Sequence, residues 1–364
     1  MGVSKEAQLR CCILSSNFIF IPCLFTIHHL HRENMYAERK AKYAELEKDR
    51  GSSVIAYITS DRPGLETEIH PEVYDLFTNH LDIIGVQKKI SLYLYTCGGS
   101  TLTAWSLVNL IRQFCDEFEV IVPSKARSAG TLMCLGANKI IMTKQATIGP
   151  IDPSFTTALN PAIPGASNNA RFPVHVESVN GFIELCREGA GIKTPEGLTA
   201  IAMKLADNVH PLVLGQVHRA KGQIQMLARK LLSNQITDKP KVDAIIKFLC
   251  SESGSHDYTL HRRESIAMGL PAEKPSDALY KLIKSIYDDI GSELEFRTKF
   301  DPNTFLGVRP TVTYNLKRAL IESVTGGSDY FATEGTLGRI AIAGTANTQI
   351  QDQRSFDGWR HQNA

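Results

Sequence analysis

Ile90-Ser-Leu-Tyr-Leu-Tyr95 is an apolar run with strand character that leads through Thr96-Cys97 into the pair Gly98-Gly99. Further along, Arg127-Ser128-Ala129-Gly130 repeats the plan, a short strand-like run giving way to a helix-like one. Glycines that close a strand, and small residues that open a helix, leave backbone N–H groups unpaired and approachable by a ligand. Two such turns converging on one point, with one hydroxyl between them, have the layout of an oxyanion hole beside a serine nucleophile.

The flanking segments fit one architecture. Residues 53–59 read as a β-branched buried strand, and residues 71–84 as a helix with Val73, Leu76, Phe77 and Leu81 on one face. A broadly apolar helix is expected over 101–114, a strand over 119–122, a helix over 131–136 and a strand over 139–142, followed by the turn Ile148-Gly149-Pro150-Ile151-Asp152-Pro153. Short apolar strands alternating with helices imply a mostly parallel sheet with right-handed crossovers, so the fold class is α/β.

Downstream, 156–173 reads as a loop or lid and 174–179 as a strand. Helices are expected over 180–188, over 195–232 with a break near Pro211, and over 240–251, with a short strand and helix within 256–269. Two amphipathic helices follow Pro275, and the tail from Gly335 trails into polar residues. Before the first strand, 34–50 reads as an exposed amphipathic helix, an arm or docking element. The expected organisation is an N-terminal extension over 1–50, the main domain over 51–274, and a C-terminal helical and irregular extension over 275–364.

Composition excludes several classes. Of 364 residues, 43% are hydrophobic and 21% charged, as in ordinary globular proteins. A net charge of +2 without a basic block gives no footprint for nucleic acid. The eight cysteines show no CxxC pair and no zinc spacing, which fits reduced thiols and a cytoplasmic setting. The run 11–27 contains Ser15, Ser16, Asn17 and Pro22. It is shorter than the roughly 20 residues of a spanning helix. It reads as a loose extension, with a membrane anchor or uncleaved signal as the alternative. His28-His29-Leu30-His31 lacks partner carboxylates or thiols, and His210 and His218 lack the intervening Glu of a zincin, so no metal and no organic cofactor are implied.

A serine hydroxyl attacks well only when a base takes its proton and donors receive the developing oxyanion. Ser128 is the candidate nucleophile, the Ala129 N–H the first donor, and an N–H of Gly98 or Gly99 the second. The plainer reading makes Ser128 a helix cap and Gly98-Gly99 an ordinary loop.

Cys97-Gly98-Gly99-Ser100 followed by an apolar helix resembles the glycine-rich oxyanion segment of the Clp protease and signal peptide peptidase A group of serine peptidases. Residues 125–131, 136–142 and 147–153 are similar to that group's nucleophile helix, next strand and following turn. The match is nearest to the serine dehydrogenase proteinase family, often described as membrane-associated, within the larger fold shared with crotonases. The resemblance implies a repeated β-β-α spiral, a peptide or protein substrate, and homo-oligomeric assembly.

The general base departs from the pattern. Where Clp peptidases carry a histidine, this chain reads Ile151-Asp152-Pro153, and where signal peptide peptidases carry a lysine on a strand, it offers His175. His256 as base and Asp257 as orienter precede a segment similar to the one that supplies the Clp aspartate. Lys193 as a desolvated base, His175 from a strand edge, and Asp152 as orienter are further candidates. Two other functions use the same turns: a crotonase-like acyl-CoA enzyme, for which an evident Glu pair around 149–153 is missing, and an inactive peptide-binding scaffold.

Overall fold

The computed structural model describes residues 35–152, 154–165, 169–252, 255, 257–342 and 347–364. Strands β1 (Ser53–Thr59), β2 (Gln87–Tyr95), β3 (Cys115–Val122), β4 (Lys125–Ala126), β5 (Lys139–Met142) and β6 (Thr147–Ile148) alternate with helices Val73–Ile84, Thr101–Ile111 and Ala129–Leu135. After them come β7 (Ser154–Phe155), β8 (Val174–His175), β9 (Leu260–His261), β10 (Ala272–Glu273), β11 (Thr311–Ser323), β12 (Gly327–Ala341) and β13 (Thr348–Gln362). The main sheet has the order β10-β5-β3-β2-β1-β11-β12-β13. Its pairs from β10 to β1 are parallel, and those from β1 to β13 antiparallel. A small sheet β4-β6-β9 stands beside it, so that β3–β4 and β5–β6 each send one strand to the large sheet and one to the small. This is the α/β spiral expected from the sequence.

Residues 90–95 show why the sheet forms. Successive side chains of a strand face opposite ways. Ile90, Leu92 and Leu94 join Ile55, Tyr57, Phe118, Val120 and Val122 in one core, beneath the helices Val73–Ile84, Thr101–Ile111 and Ala129–Leu135. Tyr93 and Tyr95 join Val54, Ala56, Ile58 and Ile121 in a second core on the opposite face. A strand buried on both faces has no polar alternation, and the sequence of β2 has almost none.

Three expectations are corrected. The C-terminal extension is not irregular after its helices: the helix Asp277–Glu293 and the short helix Pro302–Leu306 are followed by three long strands that extend the sheet from β1 outward. Residues Val312, Tyr314 and Leu316 alternate inward, but the tail from Gly335 is held by its backbone ladder, with β13 largely exposed. The expected strand over 174–179 stops at His175, and a helix Val176–Glu184 starts at once, because Val176 and Val179 pack on Val213 and Val217 at helical spacing. The N-terminal helix Met35–Arg50 is no exposed arm, since Tyr43 and Leu46 sit in the second core with Ile283, Ile286 and Ile290.

That helix is also pinned by charge. Arg39, with no exposed surface, donates to Glu322 through Nε (2.8 Å) and Nη2 (2.6 Å) and to Glu293 through Nη2 (2.7 Å). The hydroxyls of Tyr43 and Ser328 donate to the same Glu322 carboxylate at 2.7 and 2.8 Å. Among the described residues no helix is long and apolar enough to cross a membrane, and the run 11–27 and the histidine cluster 28–31 lie outside them.

Candidate active site

One residue of ladder brings the two turns together. Directly after β2, Thr96 pairs in parallel with Ala126 of β4: the Thr96 N–H donates to Lys125 O and the Arg127 N–H to Thr96 O, both at 3.1 Å. On its other side the glycine turn pairs with Ile69, whose N–H donates to Gly98 O and whose carbonyl accepts from the Ser100 N–H, both at 2.8 Å. In a parallel bridge the central residue's own N–H faces away from the partner strand. Gly99 is that residue, and among the described residues no hydrogen bond uses its N–H.

The approach is close enough to require glycine. A Cβ at Gly98, where φ is +126°, would lie 2.8 Å from Ser128 Cβ and 3.2 Å from Ser128 Oγ. At Gly99, with φ +132°, it would lie 2.5 Å from the backbone N and O of Ile69. Gly130 serves the same end, since a Cβ there would meet Thr96 Cγ2 at 2.4 Å. The Gly98 N–H is spent on Thr96 Oγ1 at 3.0 Å, so of the two glycines Gly99 is the one with a donor to offer.

Ser128 has φ 52° and ψ −116°, a strained backbone for a residue with a side chain. It precedes the helix Ala129–Leu135, yet its side chain makes no capping bond. Ser100, at the start of the helix Thr101–Ile111, does cap, accepting from the Thr103 N–H at 3.2 Å. The plain helix-cap reading therefore holds for Ser100 and fails for Ser128. The Ala129 N–H, one of the unpaired donors at a helix start, has no protein acceptor among the described residues. Thr131, not foreseen from the sequence, braces this helix: its hydroxyl donates to Ala126 O at 2.9 Å and accepts from the Gly149 N–H at 3.0 Å.

Ser128, Gly98 and Gly99 line a cleft of about 840 Å³ together with Cys97, Glu66, Glu68 and Asp152. Cys97 is exposed beside the cleft, yet partial desolvation pushes its thiol above its ordinary value, only partly offset by Lys125 and Arg127. Asp152 is 6% exposed, and its Oδ2 lies 4.0 Å from His175 Nδ1. Neither Lys193 nor Asp257 lines this cleft, and His175 stands next to its lining residue Asp152. The Lys193 side chain is 66% exposed and pairs with Glu188 at 3.3 Å, which corrects the expectation of a desolvated lysine. Asp257 is exposed on a turn, with its N–H on Ser255 Oγ, and His256 lies outside the described residues.

A Ser-His-Asp array away from this cleft is structural. His80 Nδ1 meets Ser323 Oγ at 2.7 Å and its Nε2 meets Asp329 Oδ2 at 3.0 Å. His80 and Ser323 are each only 1% exposed, and Ser323 Oγ also accepts the Gly326 N–H, so the array clamps the β11–β12 turn and meets no substrate. Among the described residues no group of His, Cys, Asp and Glu could hold a metal ion.

Residues 8–170 match the model of the ClpP-like SDH-type serine proteinase family, the family the two turns resemble. Two uncharacterized proteins of Methanocaldococcus jannaschii, MJ0137 and MJ1495, are 27% identical over 189 residues and 29% identical over 146. These alignments take in 51% and 38% of the chain and 54% and 49% of the relatives, so the chain spans about half the length of the curated relatives it matches. Two mutants of the 1510-N membrane-bound stomatin-specific protease, the second in complex with a substrate peptide, align over 64% and 62% of the chain and 85% and 77% of their own. Identity is 16% and 15%, with TM-scores of 0.36 and 0.33.

Proposed function

We propose that the chain is a serine peptidase in which Ser128 attacks the scissile carbonyl and the N–H groups of Gly99 and Ala129 receive the oxyanion. The observation that carries this reading is the strained Ser128, whose hydroxyl is spent on no cap and which stands against Gly98 in the cleft. Two oriented amides in such a site contribute on the order of 10²–10³ each to rate. Covalent labelling by a fluorophosphonate is expected on Ser128 and is abolished in Ser128→Ala; mass spectrometry of the labelled peptide reads it. A wild-type protein that never labels removes the proposal.

The cleft's charge suggests a substrate class. Among the described residues, the charged side chains that line it are Glu66, Glu68 and Asp152. Peptides bearing Lys or Arg near the scissile bond are expected to be cut faster than neutral ones, by roughly 5- to 30-fold at low salt, with the preference shrinking as ionic strength rises. Equal cleavage of matched basic and neutral peptides across a salt series contradicts it.

A further inference from the structure

We propose that His175, oriented by Asp152, is the general base for Ser128. This rests on the serine-peptidase reading and names the group which that reading lacks. His175 lies beyond the segment matched by the family model, at the place where the signal-peptide-peptidase pattern carries a lysine.

Asp152 stands in the cleft with Ser128, and His175 stands next to Asp152. The turn that closes on Asp152 is tied to the nucleophile helix by the bond from the Gly149 N–H to Thr131 Oγ1. It is tied to the neighbouring helical segment by the bond from the Ile151 N–H to Leu249 O, at 2.8 Å. This holds Asp152 in the wall of the cleft that contains Ser128. Two residues further on, the β7–β8 ribbon pairs Ser154 with His175, which returns the imidazole to Asp152. His175 sits in extended backbone at the start of the helix Val176–Glu184 and makes no capping bond to it.

The 4.0 Å between His175 Nδ1 and Asp152 Oδ2 is one short step longer than a hydrogen bond. Catalytic bonds are commonly that loose before substrate tightens them. Glu177, near enough to Asp152 to feel its charge, is paired with Lys221 at 3.7 Å.

With Asp152 accepting from Nδ1–H, His175 Nε2 is the atom that takes the Ser128 hydroxyl proton as Oγ bonds to the carbonyl carbon. The imidazolium then passes that proton to the departing amine as the C–N bond breaks. Water repeats the sequence on the acyl-enzyme: His175 takes its proton, the hydroxyl adds to the carbonyl, and the proton returns to Oγ as the acid leaves. Asp152 stays ionised throughout and acts as a positioning residue.

The test is the rate of fluorophosphonate labelling at Ser128, with peptide turnover, in wild type, His175→Ala, Asp152→Asn and Lys193→Ala. His175→Ala is expected to slow both by about 10²–10⁴-fold with KM little changed. Added imidazole should restore a good part of the rate, because the freed ligand occupies the space the side chain left. The acid limb of the wild-type pH profile is expected to be absent in His175→Ala. Asp152→Asn should slow labelling comparably and resist imidazole, while Lys193→Ala should label as wild type does.

Labelling of His175→Ala at the wild-type rate overturns the inference and leaves the peptidase reading standing. Slowed labelling without imidazole rescue in a protein of unchanged melting temperature also overturns it, by making the role structural. Wild-type Ser128 that does not label overturns both.

Discussion

Gly98→Ala is expected to abolish peptide cleavage, with kcat/KM falling by at least about 10²-fold and Ser128 labelling slowed in step. The added methyl would stand 2.8 Å from Ser128 Cβ and 3.2 Å from its Oγ, distances that side-chain carbons do not tolerate. Ser128 has nowhere to retreat, because its strained backbone is held by the bridge between Thr96 and Ala126 and by the buried helix that follows. Position 98 also has φ +126°, so alanine adds about 1–3 kcal/mol of backbone strain. The variant should therefore melt somewhat earlier, but its loss of turnover should far exceed its loss of folded protein. Steady-state kinetics beside a thermal melt separates the two. A Gly98→Ala protein with near-normal kcat/KM would show that Ser128 does not need the close approach.

Glu322→Ala is expected to be the most destabilising single change in the second core, by about 3–5 kcal/mol, since it leaves the buried Arg39 guanidinium without its bidentate partner. Urea denaturation followed by circular dichroism reads the shift in midpoint. The same carboxylate predicts acid sensitivity. Burial raises the Glu322 value, but Arg39 and the hydroxyls of Tyr43 and Ser328 more than offset this, so its net position is below the ordinary range. Glu119, beneath Arg50, Lys89 and Ser91, is depressed by the same balance of burial against partners. A carboxyl whose folded value lies below its unfolded one contributes its full stability above the unfolded value and loses it as the pH falls through the folded one. Stability should thus decline from about pH 4 downward. Glu322→Gln and Glu119→Gln should flatten that decline while lowering stability at neutral pH.

The two turns were readable because their signals are local. Glycines at the end of an apolar strand, and Ser-Ala-Gly before an apolar helix, each announce a backbone conformation within four residues. The proposed base was not readable in this way. His175 stands beside Asp152 only because β7 and β8 pair across the intervening loop, and the strand expected through Val179 gave way to a helix once Val176 and Val179 found Val213 and Val217. Lys193 looked suitable by type, and only its exposure beside Glu188 removed it. Thr96, Thr131, Glu66 and Glu68 carry no distinguishing local signal; their places follow from which strands are neighbours.

Sequence alone determined the alternation of short buried strands and helices from Ser53 to Met142, since side-chain periodicity and turn chemistry act over a few residues and need no distant partner. The tertiary structure decided the rest: that the N-terminal helix is buried, that the polar tail forms strands on the open edge of β1, and which carboxylates share the cleft with Ser128. Polar β13 has little hydrophobic pattern to announce it, because backbone hydrogen bonds to β12 hold it, and such bonds form with any sequence once an edge is offered.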